Sequence, residues 1–597
     1  MPSSINLRGV TFHAPSVVID TKNELVAPSA LEKSLAIFGE FPQLEKGKCY
    51  TFDKSNGLTI EEMYPQIDKI RNYEKIWKNP IKDYDGQAQK LSFINCAVTV
   101  QADVDVNIKG GGTVGASFKS RYWGRDGNRV QVRIETPDTP TSNPGGIDLS
   151  ETGDAYYRVL IKAPGFNNGL PITRKYGYSN QIKLTFTDLS AARTCAISCL
   201  GGILSLSVQG QSTETFNLSE YLTNDDLKAA IEAYGSAISV RFDVQVRGWD
   251  AKPEELDEFA SETLDSGEFK LFHAHAYALI SGLSREVTLP IQLEYASDRY
   301  RLLTGAADDA SLANKVFLTL SGGSQSAITN LDYQEVLTNE EILIKKFTTV
   351  SCEATNATVH GYIKNFVEER YNNQLETNAI VGAGDGSLSL DEVYSTYILP
   401  NQSERLSVVA QSITSYVNWK NISVPGSVST LAFFAMCMQG GLPIAEPMTR
   451  KRPNFENTIQ GWQREFDKHN VVRKGILGFC LDEADQIACI RGITTHLRDN
   501  LTQDVEISAR ESIDASNRDI RAFLTAQLGT KILSSSKDVL RGLTGQRLKF
   551  HVDQGIIKAF KVTGVNIIDD TAFIEYDVAI VKPLNFIKIT NTIRENI

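Results

Sequence analysis

Between residues 341 and 438 the apolar pattern changes period repeatedly, and this alternation restricts the fold more than any other feature of the chain. Ile342-Leu343-Ile344 reads as a short strand. Thr358 to Tyr371 places Val359, Tyr362, Ile363 and Phe366 on one helical face. Ala379 to Gly382 reads as a second strand, Ser389 to Leu399 as a helix, Leu406 to Ala410 as a third strand and Ser427 to Met438 as an apolar helix. Strands that alternate with helices build a mostly parallel sheet. Leu35 to Gly39 is a continuous apolar run, as suits a strand covered on both faces, and it fits the same sheet. The expected fold class is α/β (α+β), with a mixed core sheet.

The chain between those two parts has another texture. From about residue 90 short alternating runs dominate: Phe93 to Val100, Val104 to Ile108, Val130 to Ile134, Tyr157 to Ile161, Ile182 to Phe186, Ile203 to Val208 and Val240 to Val246. Gly, Asn, Asp and Pro separate them, which is the pattern of antiparallel sheets. This stretch reaches about residue 335 and interrupts the α/β core as a large β-rich insertion. Ahead of it, Ile60 to Trp77 has helical spacing. After the core, Phe455 to His469 reads as a helix with Trp462 and Phe466 inward, and Gly475 to Phe479 and Ala488 to Gly492 as short strands. Ala515 to Leu528 reads as a helix, with Asp514 and Arg518 spaced to pair one turn apart.

Both ends look extended. Residues 1–20 carry Gly9, Pro15 and the β-branched run Val17-Val18-Ile19, followed by a polar link from Asp20 to Ala27. Near the other end, Gln554 to Val565 and Ala572 to Val581 alternate with period two around an Asp569-Asp570 turn. Pro583 cannot donate a ladder hydrogen bond, so the second strand stops there or lies at an edge. Beyond it, Leu584 to Thr590 is strand-like but has no turn to fold it back. Such a tail either closes its own sheet or adds to the edge of a neighbour's.

Composition sets outer bounds. The 597 residues suggest roughly three or four domains. With 42% hydrophobic and 22% charged residues, the chain has the make-up of an ordinary soluble globular protein. Its net charge of −11 argues against general nucleic-acid binding. The longest apolar run, Leu431 to Met438, is far too short to span a bilayer. No basic segment followed by an apolar run opens the chain, so synthesis in the cytoplasm without a signal peptide is expected.

The chemical motifs are weak. Gly110 to Gly115 matches GxGxxG, but a strand rather than a helix follows. Asp385-Gly386 and Glu392 have calcium-loop spacing, but Val381 and Ala383 stand where ligands belong. The eight cysteines are scattered in apolar stretches, as buried free thiols are, and Cys195 and Cys199 have no second ligand pair. His273 and His275 alternate without a third ligand, and His496 has no nucleophile beside it. Asp482, Glu483 and Asp485 form a solvated acidic turn. Arg450-Lys451-Arg452 is a compact basic run that either stays solvated or meets an acidic partner surface. No set of nucleophile, base and orienting group emerges, which favours a structural protein without cofactor or metal over an enzyme.

The order of these features resembles the contractile tail sheath proteins of myophages and related contractile injection systems. The similar stretches are Ser34 to Gly39, Trp123 to Val130, Ser403 to Val409, the helix that ends at Gly440-Gly441, Arg491 to Thr495, and Val578 through Pro583 to Ile589. They cover the two ends, about half the chain. The resemblance implies an N-terminal arm at 1–20, core at 21–90, outward-facing inserted domains at 91–340, core again at 341–583 and a C-terminal arm at 584–597. The arms would add strands to neighbouring subunits through Val17, Val18, Ile19, Phe586, Ile587 and Ile589, hinged at Pro28 and Pro583, with Arg450, Lys451 and Arg452 as a contact to the tube or another partner. It implies a helical homo-oligomer of stacked hexameric rings around a tail tube protein, meeting baseplate and tail terminator proteins, with no direct nucleic acid and no membrane insertion. Such a subunit would be assembled in the host cytoplasm and sit in the virion tail, where contraction drives the tube through the cell envelope. A non-contractile baseplate protein and an α/β enzyme with a ligand at a switch point are the alternatives.

Overall fold

The computed structural model describes residues 31–54, 68–108, 114–135, 156–164, 166–177, 180–189, 193–246, 251–286, 289–295, 303–305, 317–459, 462, 465–529, 531–533 and 535–585, with the backbone of 5–7 and 10–12. Its centre is a six-stranded mixed sheet. The elements that build it are Ser34–Gly39 (β1), Cys49–Asp53 (β2), Asp68–Lys78 (α1), Lys90–Asn95 (β3), Asn330–Leu337 (α2), Thr349–Cys352 (β4), Ala357–Asn372 (α3), Asn378–Gly382 (β5), Leu406–Val409 (β6) and Val428–Gly441 (α4). The strand order is β6-β5-β4-β1-β3-β2, parallel throughout except at β2.

Both faces of the sheet are covered. Leu35, Ile37, Leu91, Phe93 and Ile380 face α1 and α4, while Phe38, Ile94, Val350, Val381 and Val408 face α2 and α3. This is why the strands read as unbroken apolar runs. Ser427 caps α4 by accepting from the Thr430 N–H, and the helix is apolar on all sides because it is enclosed on all sides.

After Asn95 the chain leaves this sheet, and among the described residues each sheet it builds before α2 is antiparallel. One group joins Thr99–Ile108, Val114–Trp123 and Gln131–Glu135 to later strands around Phe118, Val132, Ile161 and Ile291. Within that group, residues 180–274 form two more sheets and the helix Asn224–Ala237 around a core of their own, with Ile182, Phe186, Ile197, Leu206 and Phe242. The expected boundary at residue 91 therefore falls inside β3, a core strand, and α2 packs on the core before residue 341.

Three expectations need correction. Ile342-Leu343-Ile344 is not a strand: Asn339 caps a single helical turn, Glu340–Leu343, and the strand follows at Thr349. Phe455 to His469 is not one helix: the helix covers only Glu465–Arg473, and Phe455 lies in an irregular buried segment against Phe434 and Phe479. His273 ends a strand, whereas His275 opens the helix His275–Arg285, so they do not share a strand face. The helix expected over residues 60–77 is described from Asp68, and its earlier part lies outside the described residues.

The rest of the chain adds Ile507–Thr525 (α5), Ser536–Asp553 (α6), Ile557–Ile568 (β7) and Thr571–Ile580 (β8). The expected pair of strands is present, within three residues of the expected bounds. The helix α6 had no counterpart in the sequence reading.

Candidate assembly interface

β7 and β8 form a two-stranded antiparallel ribbon about 35 Å long, turned at Asp569-Asp570. Asp569 takes φ 53°, a left-handed conformation that a short polar side chain tolerates. Among the described residues neither outer edge of the ribbon pairs with another strand. A lone hairpin is marginal in water, and here helices support it. Ile556 and Ile557 are buried, and Phe560, Val562, Tyr576 and Val578 half-buried, around Ile520 and Leu524 of α5 and Leu548 of α6. Towards the turn, Ile568 and Phe573 are exposed. The result is a stiffened ribbon whose two edges no described strand covers, a template for strand addition.

The helix beneath the ribbon is unusual on its buried side. Arg510, Glu511, Asp514 and Asp519 are all at most 6% exposed, and each has a partner. Arg405 donates to both Asp514 oxygens, at 2.8 and 3.0 Å, with both side chains 1% exposed. Arg510 lies 2.7 Å from Glu404 and 2.6 Å from Asp504. The Arg491 Nε donates to Glu506 at 2.6 Å. Thr495 ties the same region to the sheet, donating its N–H to Leu406 and accepting from the Ser403 N–H. Two stretches quoted for the resemblance, Ser403 to Val409 and Arg491 to Thr495, are thus neighbours that both hold α5. The expected Asp514–Arg518 pair does not form, because the longer reach to Arg405 is bidentate and dry.

One cluster has the residue types of a hydrolase triad. Ser516 Oγ lies 3.0 Å from His551 Nδ1, and His551 Nε2 lies 2.6 Å from Asp519. Burial alone would push the Asp519 carboxyl up, but hydrogen bonds from His551 and Arg547 outweigh it and hold it below the usual carboxylate range. All three residues are buried, and the imidazole presents the opposite nitrogen to each partner from a catalytic triad. The cluster locks α5 to α6.

The core sheet has a topological switch point between β1 and β4, where such folds bind ligands. Here Glu353 occupies it. Its carboxylate accepts from the Glu40 N–H at 2.8 Å, Lys69 Nζ at 2.7 Å and the Tyr73 hydroxyl at 2.7 Å. Gly39 is required for this: a Cβ there would lie 2.3 Å from the Glu353 Oε2. A cleft of about 360 Å³ remains beside it.

Of the expected site residues, Val17, Val18, Ile19, Pro28, Phe586, Ile587 and Ile589 lie outside the described residues. Pro583 lies inside, in a half-buried irregular segment just past β8. The basic run is largely neutralised. Arg452 pairs with Asp482 at 2.7 Å and Lys451 with Glu446 at 2.7 Å, while Arg450 is mostly exposed and 3.8 Å from Glu483. The acidic turn is therefore not simply solvated: the Gln486 backbone N–H, then Arg452 and the Ala484 N–H, bring Asp482 down to about 2. Asp385 caps its own turn through Ser387, and Glu392 completes a capping box with Ser389. His496, Asp499 and Asp504 approach closely enough to hold a metal, but Arg510 already bonds Asp504. All eight cysteines are free, and all but Cys49 are buried. Among the described residues no helix is long and apolar enough to cross a membrane.

No protein-family model matches the chain. A tail sheath protein of Bacillus phage SP01 is 20% identical over 520 residues, spanning 85% of this chain and 83% of that protein. The solved sheath tail protein of Desulfitobacterium hafniense has 12% identity and a TM-score of 0.47, over 95% of this chain and 100% of that one. That of Listeria innocua has 9% identity and a TM-score of 0.45, over 90% of this chain and 87% of that one. The resemblance read from the ordered motifs is matched by the sheath protein of Bacillus phage SP01.

Proposed function

We propose that this chain is the structural subunit of a contractile tail sheath, polymerising around an inner tail tube and shortening to drive the tube through a cell envelope. The observation that carries the reading is the braced ribbon of β7 and β8, which among the described residues has no strand along either edge. Main-chain pairing at such an edge joins subunits without dependence on particular side chains, so it survives a change of subunit orientation.

In this reading the chain ends, 1–20 and 584–597, are the visiting strands, carried by Val17 to Ile19 and by Phe586, Ile587 and Ile589. The segment from Thr21 to Pro28 and Lys582-Pro583 are the links that bend. The antiparallel sheets of residues 99–325 form outer domains. The subunits stack as hexameric rings in the virion tail, assembled in the host cytoplasm, with tube, baseplate and terminator proteins as further partners. Arg450, the least neutralised member of its run, is the basic contact to a partner. Energy for shortening comes from contact area gained between subunits, so no nucleotide chemistry is called for. At the switch point, where an α/β enzyme would seat a ligand, the Glu353 carboxylate is already committed to Glu40, Lys69 and Tyr73.

The test is negative-stain microscopy of the purified full chain beside a version truncated after Lys582. Hollow cylinders from the full chain alone support both the sheath and the exchanged tail. Cylinders from both keep the sheath and remove the tail as the essential link. A stable monomer at high concentration overturns the reading.

A further inference from the structure

Resting on that sheath reading, we infer that α5 is the tie bar of the subunit. Lys33, immediately ahead of β1, and Asn585, just past β8, are both fastened to its first turns, so load arriving at either point is shared between this helix and the core sheet. The N-terminal fastening is Lys33, whose ammonium lies 2.6 Å from Glu511 Oε1 and donates to the Gln439 carbonyl at 2.8 Å. Both side chains are under 10% exposed, and the Gln439 amide holds the other Glu511 oxygen. The C-terminal fastening is Asn585, the last described residue, whose Nδ2 donates to Glu506 Oε1 at 2.8 Å. Glu506 is fully buried and is also held by Arg491. The two acids are five positions apart, about 7.5 Å along the helix axis.

From these points the helix is bonded onward in both directions. Arg510 and Asp514 reach Glu404 and Arg405 at the head of β6, and Asp519 reaches Arg547 on α6. The ribbon rests on the same helix through Ile520 and Leu524. Outgoing arms and the edge that receives incoming strands therefore share one support. A continuous path runs from an arm to α5, to the ribbon, and into the next subunit's arm.

The chemistry of the fastenings suits traction. Apolar contact is non-directional and can slide with little loss until area is exposed. A buried ion pair resists the first displacement, because separating charges in a dry site is costly at once. That accounts for a helix that buries carboxylates and guanidinium groups where a core helix ordinarily buries leucines.

The experiment measures the critical concentration for cylinder formation by sedimentation, well below the unfolding temperature, for the full chain and for Glu511→Gln, Glu506→Gln and Asn585→Ala. Phe433→Ala, a fully buried residue of α4 that makes none of these polar contacts, is the control for lost stability alone. We expect each fastening variant to raise the critical concentration about tenfold or more, and Phe433→Ala to leave it within about twofold while lowering the urea midpoint. Asn585→Ala sits in an irregular segment and folds even if the buried-carboxylate variants do not. Unchanged critical concentrations, or an equal rise in the control, overturn the tie bar. Absence of cylinders from the full chain itself overturns the sheath reading instead, and the inference with it.

Discussion

Replacing Asp514 by asparagine tests whether the polar seam under the ribbon is held by charge. Arg405 and Asp514 are each 1% exposed, and their two hydrogen bonds are 2.8 and 3.0 Å long. The guanidinium also stacks on Tyr371 at 3.9 Å, and its next acceptor, Asn378 Oδ1, is 3.4 Å away. The Asp514→Asn amide would keep one acceptor oxygen but leave a buried cation without its counter-ion. Breaking one side of a buried pair costs about 3–5 kcal/mol, so the variant's unfolding constant should rise more than a hundredfold. Urea unfolding followed by tryptophan fluorescence reads this directly. The double replacement Arg405→Met with Asp514→Leu should recover most of the loss, because two apolar groups leave no stranded charge. Added salt should change little, since screening acts poorly on a dry pair. A loss below about 1 kcal/mol for Asp514→Asn, the size of an exposed pair, would refute the reasoning, as would a double variant worse than the single one.

Two further outcomes follow from the core. His360 is fully buried, and burial pulls its pKa from 6.5 to about 4 against the opposing effect of the Ala354 and Gly382 backbone groups. The unfolded chain takes up that proton first, so stability is intact above pH 6.5 and falls as pH drops towards 4, by about 3 kcal/mol; His360→Phe should flatten that limb of the stability–pH curve, and an unchanged limb would rule the residue out. Gly39→Ala should lower stability by about 1–3 kcal/mol through overpacking against the Glu353 carboxylate; adding Glu353→Ala should relieve the clash, and a melting temperature that does not recover would place the strain elsewhere.

The parts of the fold legible in the sequence were those where one physical signal dominated. Leu35 to Gly39 and Ala379 to Gly382 are enclosed on both faces, so every position had to be apolar. The ribbon was legible because only one face is covered, which leaves a clean alternation. What escaped had competing signals. Ile342 to Ile344 has too short a run to separate strand from helix, and the Asn339 cap decided it. In α6 the buried face carries Thr544, Arg547 and His551 around Leu548, so no apolar stripe marks it. The polar seam was invisible because Arg405 and Asp514 are 109 positions apart; local spacing suggested Arg518 instead. The ordered motifs still marked the right places, since Ser403 to Arg405 and Arg491 to Thr495 turn out to grip one helix.

The carboxylate of Glu353 has one more implication. In a doubly wound sheet the crevice between strands whose crossovers run in opposite directions is the natural line of weakness, where two halves can tilt about a guest molecule. In this chain the slot is riveted from within: one side chain bolts the end of β1, the end of β4 and helix α1 together through three short bonds. A block without an internal joint keeps its outline while its neighbours move. If such blocks assemble, a change in their spacing falls to the backbone that joins them and not to a joint inside this sheet.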